Sequence, residues 1–414
     1  MNLEKIDWLK PDAWDDSPDM YERFRLLRNN DPVHWSETSR IWIITTHKDV
    51  DYISRNQNIF TSAKGVRVGN PVPFGLIDDD EPHHTKVRQL INKGFTRSRV
   101  EMLGEEIRMF TIELMNQIIA KGKSDIVSDL SAPLPIFMIA RLIGMPLEDL
   151  GKLREWSDAL IMADGNYDNP EIMYKVAEAF LAFGRYMRDV AEDRIVNPKN
   201  DIISTLLGAK SGGLLSAHES NISNSSNEMQ ETNEYKALSI DELNMLLVLL
   251  TVAGNETTRN AISGGIAQFI ENPEQLTLLK SKPELIRNAI EEIVRHVTPV
   301  RTFTRTVIRK TELSGKHLYP GQKVLLVYTS ANRDEKVFIN PDKFDINREP
   351  NPHLGFGIGS HVCLGANLAR IEIKVVLEEL IKRFSNMTYA GAGPEMHRNP
   401  LVRSFVNMPV NISN

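Results

Sequence analysis

The sequence predicts a mainly α-helical protein of the α+β class, in which a few short strands accompany many helices. Two observations support this prediction. Apolar residues recur at the helical period in several long segments, whereas strand-like runs are few, short and separated by turns that contain glycine or proline. The 414 residues suffice for one large domain or two modest ones, and no internal repeat divides them.

The helices are predicted from periodicity and from their first residues. Pro82 fits the first position of a helix over residues 82–93. The longest predicted helix begins at Ser239, where Ser-Ile-Asp-Glu has the form of a capping box, and continues to Asn272. Apolar stripes at the helical period mark three further segments: 97–121, 172–196 and 283–297.

Short strands are predicted from four runs rich in β-branched and aromatic residues: 41–45, 303–308, 323–328 and the region 401–412. Turn residues such as Pro320 and Gly321 bound them. So few strands predict small sheets at the periphery of a helical protein.

Residues 211–236 differ from the rest of the chain because Ser, Asn and Glu are frequent and large apolar side chains are few. Such a segment has little apolar surface to bury, which predicts a flexible surface insertion. A docking element for a partner is the alternative interpretation.

The charge and the hydropathy of the chain exclude two classes of function. A formal net charge of −6 without basic clusters gives no electrostatic attraction for nucleic acid. The first residues are charged and interrupted by Pro11, unlike a signal peptide or membrane anchor. The longest apolar run, residues 243–253, is shorter than the roughly 20 residues of a spanning helix. We therefore expect no integral membrane segment and a cytoplasmic location.

The chain contains one cysteine, Cys363, which excludes an internal disulfide framework and a four-cysteine zinc site. Cys363 lies in a glycine-rich stretch that precedes a predicted helix over residues 366–384. The N-terminus of a helix favours a thiolate over a thiol, and glycines let the backbone approach a flat ligand. These features suit a soft metal or a haem iron.

The stretch FGIGSHVCLG, residues 356–365, resembles the cysteine-ligand loop of the cytochrome P450 superfamily, FGxGxHxCxG, at every fixed position. The resemblance extends over nearly the whole chain. It implies the helix-rich triangular P450 fold with small peripheral sheets, in a single domain over residues 1–414. It also implies haem b (iron protoporphyrin IX) as the cofactor, with Cys363 as the iron ligand and Phe356, Gly357 and Gly365 beside the haem.

The long predicted helix carries Ala253-Gly254-Asn255-Glu256-Thr257-Thr258, which is similar to the oxygen-activating segment of P450s. A carboxylate next to a hydroxyl can hold water and relay protons. The resemblance implies that Glu256 and Thr257 are the acid–alcohol pair. It also implies that Ala253 and Gly254 face the haem, where the glycine allows the helix backbone to open a groove.

Glu292 and Arg295 match the ExxR pair of the family and share one helix face. In the family this pair is buried and holds the cysteine loop together with an arginine upstream of the loop, at the position of Arg348. Without the family match, the spacing would indicate an ordinary surface salt bridge. We expect a structural role for all three residues.

The two propionates of a haem need cations or hydrogen-bond donors. The residues that match the family's propionate partners are His84, Arg88, Arg305 and His361. His84 and Arg88 lie one helical turn apart, so they point the same way. Together the four side chains can supply charge-assisted hydrogen bonds, and ordinary exposed charges are the alternative.

The activity implied by the resemblance is that of a haem-thiolate monooxygenase, which inserts one oxygen atom of O2 into a small hydrophobic substrate. The sequence contains no dinucleotide-binding fingerprint and no flavin domain, so electrons must come from a ferredoxin or flavodoxin with its reductase. Lys343, Arg370 and Lys374 lie near Cys363 in the sequence and are candidate contacts for this donor. Ordinary solvated surface is the alternative.

The expected substrate pocket is largely apolar, which indicates a hydrophobic ligand. Five segments are predicted to line it: 66–76, 157–183, 249–253, 300–303 and 404–405. The stretches AGNETTRNAISGG, NPHLGFG and GFTRSRV are similar to bacterial P450s that hydroxylate sterol side chains and branched fatty acyl chains. Related sequences take terpenoids, so we expect a sterol, fatty acyl or terpenoid substrate.

Three alternatives stay open at this point. A peroxide-driven peroxygenase on the same fold usually lacks the acid–alcohol pair that Glu256 and Thr257 would form. A non-catalytic haem protein that binds or senses a ligand would share the Cys363 loop but would not need a proton relay. A haem-free redox-switch thiol would leave the predicted propionate partners unexplained.

Overall fold

The computed structural model describes residues 3–67, 69, 74–92, 95, 100, 103–199, 201–210 and 240–413. The insertion predicted at 211–236 and the capping box predicted at Ser239 lie outside these residues. The described residues form thirteen α-helices: α1 Pro18–Asn30, α2 His47–Arg55, α3 His83–Asn92, α4 Gly104–Lys121, α5 Pro133–Ile143, α6 Leu150–Ile161, α7 Pro170–Val196, α8 Ile202–Lys210, α9 Ile240–Glu271, α10 Pro273–Ser281, α11 Ile286–Val297, α12 Tyr328–Ala331 and α13 Ala366–Arg383.

The strands in the same part of the chain are short and belong to four separate sheets. They are β1 Val33–Ser36, β2 Ile41–Ile44, β3 Phe60–Thr61, β4 Lys123–Asp125, β5 Thr302–Val307, β6 Thr311–Leu313, β7 Lys316–Leu318, β8 Lys323–Val327, β9 Asn386–Tyr389, β10 Glu395–His397, β11 Ser404–Asn407 and β12 Pro409–Ser413. The largest sheet has the order β1-β2-β8-β5-β3, and β4-β12-β9 forms a second one. The pairs β6-β7 and β10-β11 complete the set. The mainly α-helical prediction with small separate sheets is confirmed.

Several helices begin where the sequence supplies a cap. Ser17 accepts a hydrogen bond from the N–H of Met20 at the start of α1, and Asn169 accepts from the first turn of α7. A proline occupies the first position of both helices, where its missing N–H costs nothing. The helix predicted over 97–121 is α4, which begins later, at Gly104. Glu105 and Glu106 then fall in its first turn, where acidic side chains stabilise the helix dipole.

The central element of the fold is α9, which packs against α5, α6, α7, α11 and α13. Its side chains are buried on almost every face, as in a helix enclosed by others. Gly265 allows the approach of α11, because a Cβ there would lie 2.8 Å from the Cδ1 atom of Ile293. Because it is enclosed by other helices, α9 can form a rigid wall of a cavity beside it.

Strand β5 runs through the largest sheet and aligns two side chains on one face. It pairs antiparallel with β8, so that Phe303 is opposite Leu326 and Arg305 is opposite Val324. Residues two apart in a strand point to the same side. One apolar and one cationic side chain thereby face the same direction, towards α9 and the loop before α13.

Candidate active site

A large cavity lies between α9, β5 and the loop that precedes α13. Its empty volume is about 1600 Å³, which includes space open to solvent. Apolar side chains from distant segments line one side of it, among them Val66, Leu76, Ile139, Leu249, Val300 and Phe303. Ala253 lies in the middle of the buried helix α9 and is nevertheless exposed, because it faces this cavity.

The loop 356–365 forms another wall of the cavity. The N–H of Cys363 donates to the carbonyl oxygen of Phe356 at 2.8 Å, and Gly365 precedes the first residue of α13. Gly357 and Gly359 have φ angles of +66° and +78°, which strain any other residue. A Cβ at Gly359 would also lie 2.7 Å from a backbone carbonyl oxygen of α2. The loop is thus held tightly in place, with its cysteine turned into the cavity.

Cys363 is accessible from the cavity and surrounded by protein elsewhere. Burial raises the pKa of its thiol, whereas the backbone N–H of Gly365 and the charge of Arg88 lower it. Burial is the largest of these effects, so the chain alone does not favour the thiolate as the sequence predicted. A coordinating metal cation deprotonates a thiol outright, and the thiolate form therefore depends on such a cation.

Four nitrogen-bearing side chains line the cavity next to the cysteine loop: His84, Arg88, Arg305 and His361. The ring centroids of His84 and His361 are 4.2 Å apart. Arg88 donates to the carbonyl oxygen of Val362, and Arg305 donates to that of Thr304 at 2.8 Å. The fold therefore brings together all four residues that the sequence analysis selected from distant positions.

Within the described chain these four donors lack anionic hydrogen-bond partners. His84 is 1% exposed and neither of its ring nitrogens is hydrogen-bonded, although the carboxylate of Glu81 lies 3.5 Å from Nδ1. Burial, followed by Arg305, lowers the pKa of His361 to about 3. Burial also lowers the pKa of Arg305. Because a buried cation without an anionic hydrogen-bond partner costs free energy, Arg305 favours a bound anionic group, to which the neutral histidines can donate hydrogen bonds.

The middle of α9 presents a hydroxyl to the cavity. Thr257 lines the cavity together with Ala253 and Gly254, and its Oγ1 donates to the carbonyl oxygen of Ala253 at 2.8 Å. The helix is continuous over this segment, so the predicted backbone groove is not open. A Cβ at Gly254 would lie 3.1 Å from Ile139, and this glycine therefore allows close packing of α5.

Glu256 does not line the cavity, although it precedes Thr257 in the sequence. Its carboxylate is 1% exposed and accepts a hydrogen bond from Arg259 at 2.5 Å. Arg259 also pairs with Asp158 at 2.7 Å. Burial raises the pKa of Glu256, and the charge of Arg259 opposes that rise. Adjacent residues of a helix point in different directions, so the predicted acid–alcohol pair does not meet at the cavity in this conformation.

Glu292, Arg295 and Arg348 form a buried cluster at one end of α11. Arg295 donates to the Glu292 carboxylate at 2.7 and 2.8 Å, and Arg348 donates at 3.0 Å. The N–H of Asp345 and the side chain of Asn351 donate to the same carboxylate. One carboxylate thus binds the segment 345–351, which leads directly into the cysteine loop. The structural role of the three residues stays a prediction.

A buried ion pair joins two loops near the apolar side of the cavity. Arg67 donates to Asp164 through Nε at 3.0 Å and Nη2 at 2.8 Å, and the Tyr167 hydroxyl donates to Asp164 at 2.7 Å. Asp164 is fully buried and Arg67 is 8% exposed. The pair connects the loop after β3 with the segment after α6. Neither residue was singled out from the sequence, since no local pattern links positions 67 and 164.

Only part of the predicted lining reaches the cavity. Val66 and Leu76, residues 249, 250 and 253, and residues 300 and 303 line it, whereas the described residues of 157–183 and 404–405 do not. Phe183 stacks on Trp156 between α6 and α7 at a centroid distance of 5.2 Å, so it packs away from the cavity. Pro135 and Ile139 of α5 line the cavity instead, and neither was predicted from the sequence.

Two polar residues next to the predicted site were also missed. Ser62 is fully buried, and its Oγ lies 3.3 Å from the Nε2 atom of His361. Glu372 of α13 lines the cavity and is 1% exposed. A single serine belongs to no motif that predicts a site. Glu372 is one of several charged residues in its helix, and nothing in the sequence distinguishes it from the exposed ones.

A cysteine that faces a largely apolar cavity, beside two arginines and two histidines that line the same cavity, fits the site of a thiolate-ligated metal cofactor that carries acidic groups. The comparisons with known proteins give the same class. The cytochrome P450 family model matches residues 281–413. A steroid C26-monooxygenase of Rhodococcus jostii is 34% identical over 409 residues, with 94% of this chain and 81% of the relative covered. A steroid C26-monooxygenase of Mycobacterium bovis is 37% identical, covering 91% and 86%.

The solved structures agree with these relatives. CYP109E1 from Bacillus megaterium in complex with testosterone has a TM-score of 0.85 and 30% identity, with 97% of this chain and 99% of that chain covered. The chain belongs to the cytochrome P450 family. It is a haem-thiolate monooxygenase that acts on a hydrophobic substrate with O2 and a redox partner, and its cofactor is haem b. Within the part of the chain that the structure describes, no helix has the length and apolar composition to cross a bilayer.

Proposed function

We propose that this enzyme hydroxylates the side chain of a steroid. The observation that carries the proposal is the largely apolar lining of the cavity, to which Val66, Leu76, Leu249 and Val300 contribute. A steroid is rigid and almost entirely apolar, so it loses little conformational entropy on entering a preformed apolar pocket. The names of the relatives, steroid C26-monooxygenase, and the testosterone bound to a structural neighbour support this choice over a fatty acyl or terpenoid substrate.

The residues around the cavity fit haem b. In this proposal Cys363 ligates the iron, while His84, Arg88, Arg305 and His361 bind the propionates. The unpartnered ring nitrogens of His84 supply the hydrogen bonds that a buried carboxylate requires. Phe356, Gly357, Gly365, Ala253 and Gly254 border the cofactor. Bound in this way, haem b supplies O2 binding and oxygen-atom transfer, chemistry that the protein side chains lack.

The chain's own residues position the substrate, exclude water and hold protons. The apolar wall keeps bulk water from the reacting carbon. Thr257 holds its hydroxyl at the cavity surface through its hydrogen bond to Ala253. In this proposal it hydrogen-bonds a water there and passes protons inward, with Glu256 as the acid on the other side of α9. Glu256 reaches Thr257 only after it leaves Arg259, which makes the ion pair a gate on this route.

The redox partner, we propose, is a ferredoxin or flavodoxin with its own reductase. Lys343 and Lys374 are exposed and can contact an acidic partner, although Lys374 lies 3.7 Å from the carboxylate of Glu378. Arg370 is less available, because Glu291 pairs with it at 2.7 Å and its guanidinium lies 4.3 Å from the Phe356 ring centroid. A single domain over residues 1–414 and a cytoplasmic location stay predictions.

Two spectroscopic measurements test the proposal. Reduced protein with carbon monoxide is expected to show the red-shifted Soret band of thiolate-ligated haem, and Cys363→His is expected to lose it. Sterols with an intact side chain are expected to shift the ferric protein to high spin and to yield side-chain alcohols. A shift with fatty acids or terpenes but none with sterols would contradict the substrate class. A wild-type spectrum typical of histidine-ligated haem would contradict the role of Cys363.

A further inference from the structure

The segment 10–16 lies outside the cavity and contacts elements that surround it. Lys10 pairs with Asp168 at 2.5 Å, in the loop between α6 and α7. In the same loop, a Cβ at Gly165 would lie 3.1 Å from side-chain atoms of Pro11. The segment is therefore packed closely against the part of the chain that follows α6.

Asp16, at the end of this segment, forms an ion pair with a buried arginine. Nη1 of Arg301 donates to Oδ1 of Asp16 at 3.1 Å, and Nη2 donates to Oδ2. The Tyr21 hydroxyl also donates to Oδ1, at 3.0 Å, and Nε of Arg403 lies 3.3 Å from the same atom. Burial raises the pKa of Asp16, but the charges of Arg301 and Arg403 outweigh it and lower the pKa to about 2. Asp16 is thus a carboxylate at neutral pH and binds Arg301 in a bidentate geometry.

Arg301 connects Asp16 with the wall of the cavity. Its neighbours Val300 and Phe303 line the cavity, whereas Arg301 itself does not. The Nε atom of Arg301 donates to the carbonyl oxygen of Val402 at 3.2 Å, so the side chain also holds the segment before β11. Arg301 therefore lies directly behind this wall, and its guanidinium joins the wall to the segment 10–16.

The ion pair and the backbone contacts of Arg301 can be separated. The N–H of Arg301 donates to Leu401, and its carbonyl oxygen accepts from the N–H of Tyr328 at 2.9 Å. These backbone hydrogen bonds do not involve Asp16. Arg301 is fully buried, so without the carboxylate its guanidinium would be a buried cation that has lost its bidentate partner. Such a cation gains free energy by moving towards water, and the adjacent wall residues are displaced with it because they are joined to it covalently.

We propose that Asp16 is a positioning residue of this enzyme, which sets the place of Val300 and Phe303 in the cavity through Arg301. The proposal rests on the proposed function, because a displaced wall acts by changing how the bound substrate lies. Asp16 does not line the cavity and touches neither substrate nor cofactor. Its effect is on geometry, and a displacement of about 1 Å is enough to change a reaction rate substantially.

The test uses the full-length, haem-loaded enzyme with Asp16→Asn, Asp16→Glu and the control Asp12→Asn. Asp12 lies in the same segment, but its side chain is 91% exposed and pairs with Arg398 at the surface. Each protein is titrated with phenylimidazole, a small apolar ligand of haem iron, and the ratio of the hydroxylated products is measured. Amide exchange locates any displacement, and urea unfolding gives the stability.

Asp16→Asn is expected to keep the Soret band of thiolate-ligated haem with carbon monoxide. It should bind phenylimidazole about tenfold more weakly, which corresponds to about 1.4 kcal/mol, and change the product ratio. Amide exchange should become faster in residues 300–305. Asp16→Glu retains the carboxylate and should recover part of the affinity, while Asp12→Asn should match the wild-type protein in every measurement.

Wild-type affinity and an unchanged product ratio in Asp16→Asn, with lowered stability towards urea, would overturn the proposal, because a residue that only stabilises the fold gives that result. Faster exchange in residues 10–21 with none in 300–305 would overturn it as well. If Asp16→Asn does not take up haem, Arg301→Gln replaces it, since this variant breaks the same connection without leaving a buried cation. Wild-type phenylimidazole affinity in Arg301→Gln would then overturn the proposal. Phenylimidazole binding and amide exchange need no steroid, so they are independent of the substrate class.

Discussion

Replacing Glu292 by glutamine tests how strongly the buried cluster holds the cysteine loop. The wild-type carboxylate is fully buried and accepts hydrogen bonds from Arg295, Arg348, Asp345 and Asn351. Glutamine has the same shape but carries no charge, so it leaves two arginines without an anion. Removing one partner of a buried ion pair costs about 3–5 kcal/mol in the free energy of unfolding. For 414 residues this lowers Tm by about 3–6 °C.

Urea unfolding and calorimetry measure this loss, and amide exchange locates it. Faster exchange is expected in residues 345–365, because the Glu292 carboxylate binds the segment that leads into the cysteine loop. Glu22→Gln is the control, since the side chain of Glu22 on α1 is 42% exposed and pairs with Arg25 of the same helix. A loss in Glu292→Gln below about 1 kcal/mol, the value of an exposed ion pair, would refute the reasoning. So would exchange that accelerates elsewhere but not in this segment.

Three further perturbations follow from the site. Thr257→Ala is expected to keep haem and to consume reductant, but to divert the electrons to peroxide. The control Thr251→Ala removes a similar helix hydroxyl away from the cavity and should form the wild-type amount of product per electron. Equal product per electron in the two variants would remove Thr257 from the relay. Asp164→Asn leaves Arg67 buried without its anion and should destabilise the protein by about 3–5 kcal/mol, seen as faster amide exchange in residues 62–67. The control is Asp168→Asn, which removes an exposed ion pair with Lys10. Exchange in Asp164→Asn that is no faster than in this control would contradict the prediction. His296 has its pKa held well below 6.5 by burial and by three arginines, Arg333, Arg295 and Arg403. As the pH falls, the unfolded chain binds the proton first, so the contribution of neutral His296 to the free energy of unfolding is present above pH 6.5 and decreases below it. His296→Gln should therefore reduce the dependence of the urea midpoint on pH in this range. An unchanged dependence would show that other groups dominate it.

The sequence predicted the parts of this site that lie close together in the chain. The loop around Cys363 could be predicted because its glycines and its cysteine lie within ten consecutive residues. The strands β5 and β8 were predicted because both are short runs with β-branched residues, bounded by turns. Local pattern and local structure coincide in these cases.

The missed features depend on how distant segments pack. Pro135 and Ile139 belong to a helix whose apolar side chains show that it is buried, but not which neighbour it faces. The sequence placed Glu256 beside Thr257, yet the helical rotation between them turns the two side chains apart. Glu372 is of a residue type that is usually exposed, and it is buried because α13 packs among α4, α9 and α11. Periodicity gives the faces of a helix, whereas tertiary contacts decide which polar face becomes buried.

The apolar side of the cavity is assembled from at least five separate segments, represented by Val66, Ile139, Leu249, Val300 and Phe303. None of these side chains belongs to the Glu292 cluster or to the loop that carries Cys363. A substitution in one segment therefore changes the shape of one wall of the cavity and leaves the Glu292 cluster and the Cys363 loop with their own contacts. Natural variation in these segments can therefore alter the shape of the substrate pocket without changing the residues that hold the cysteine loop.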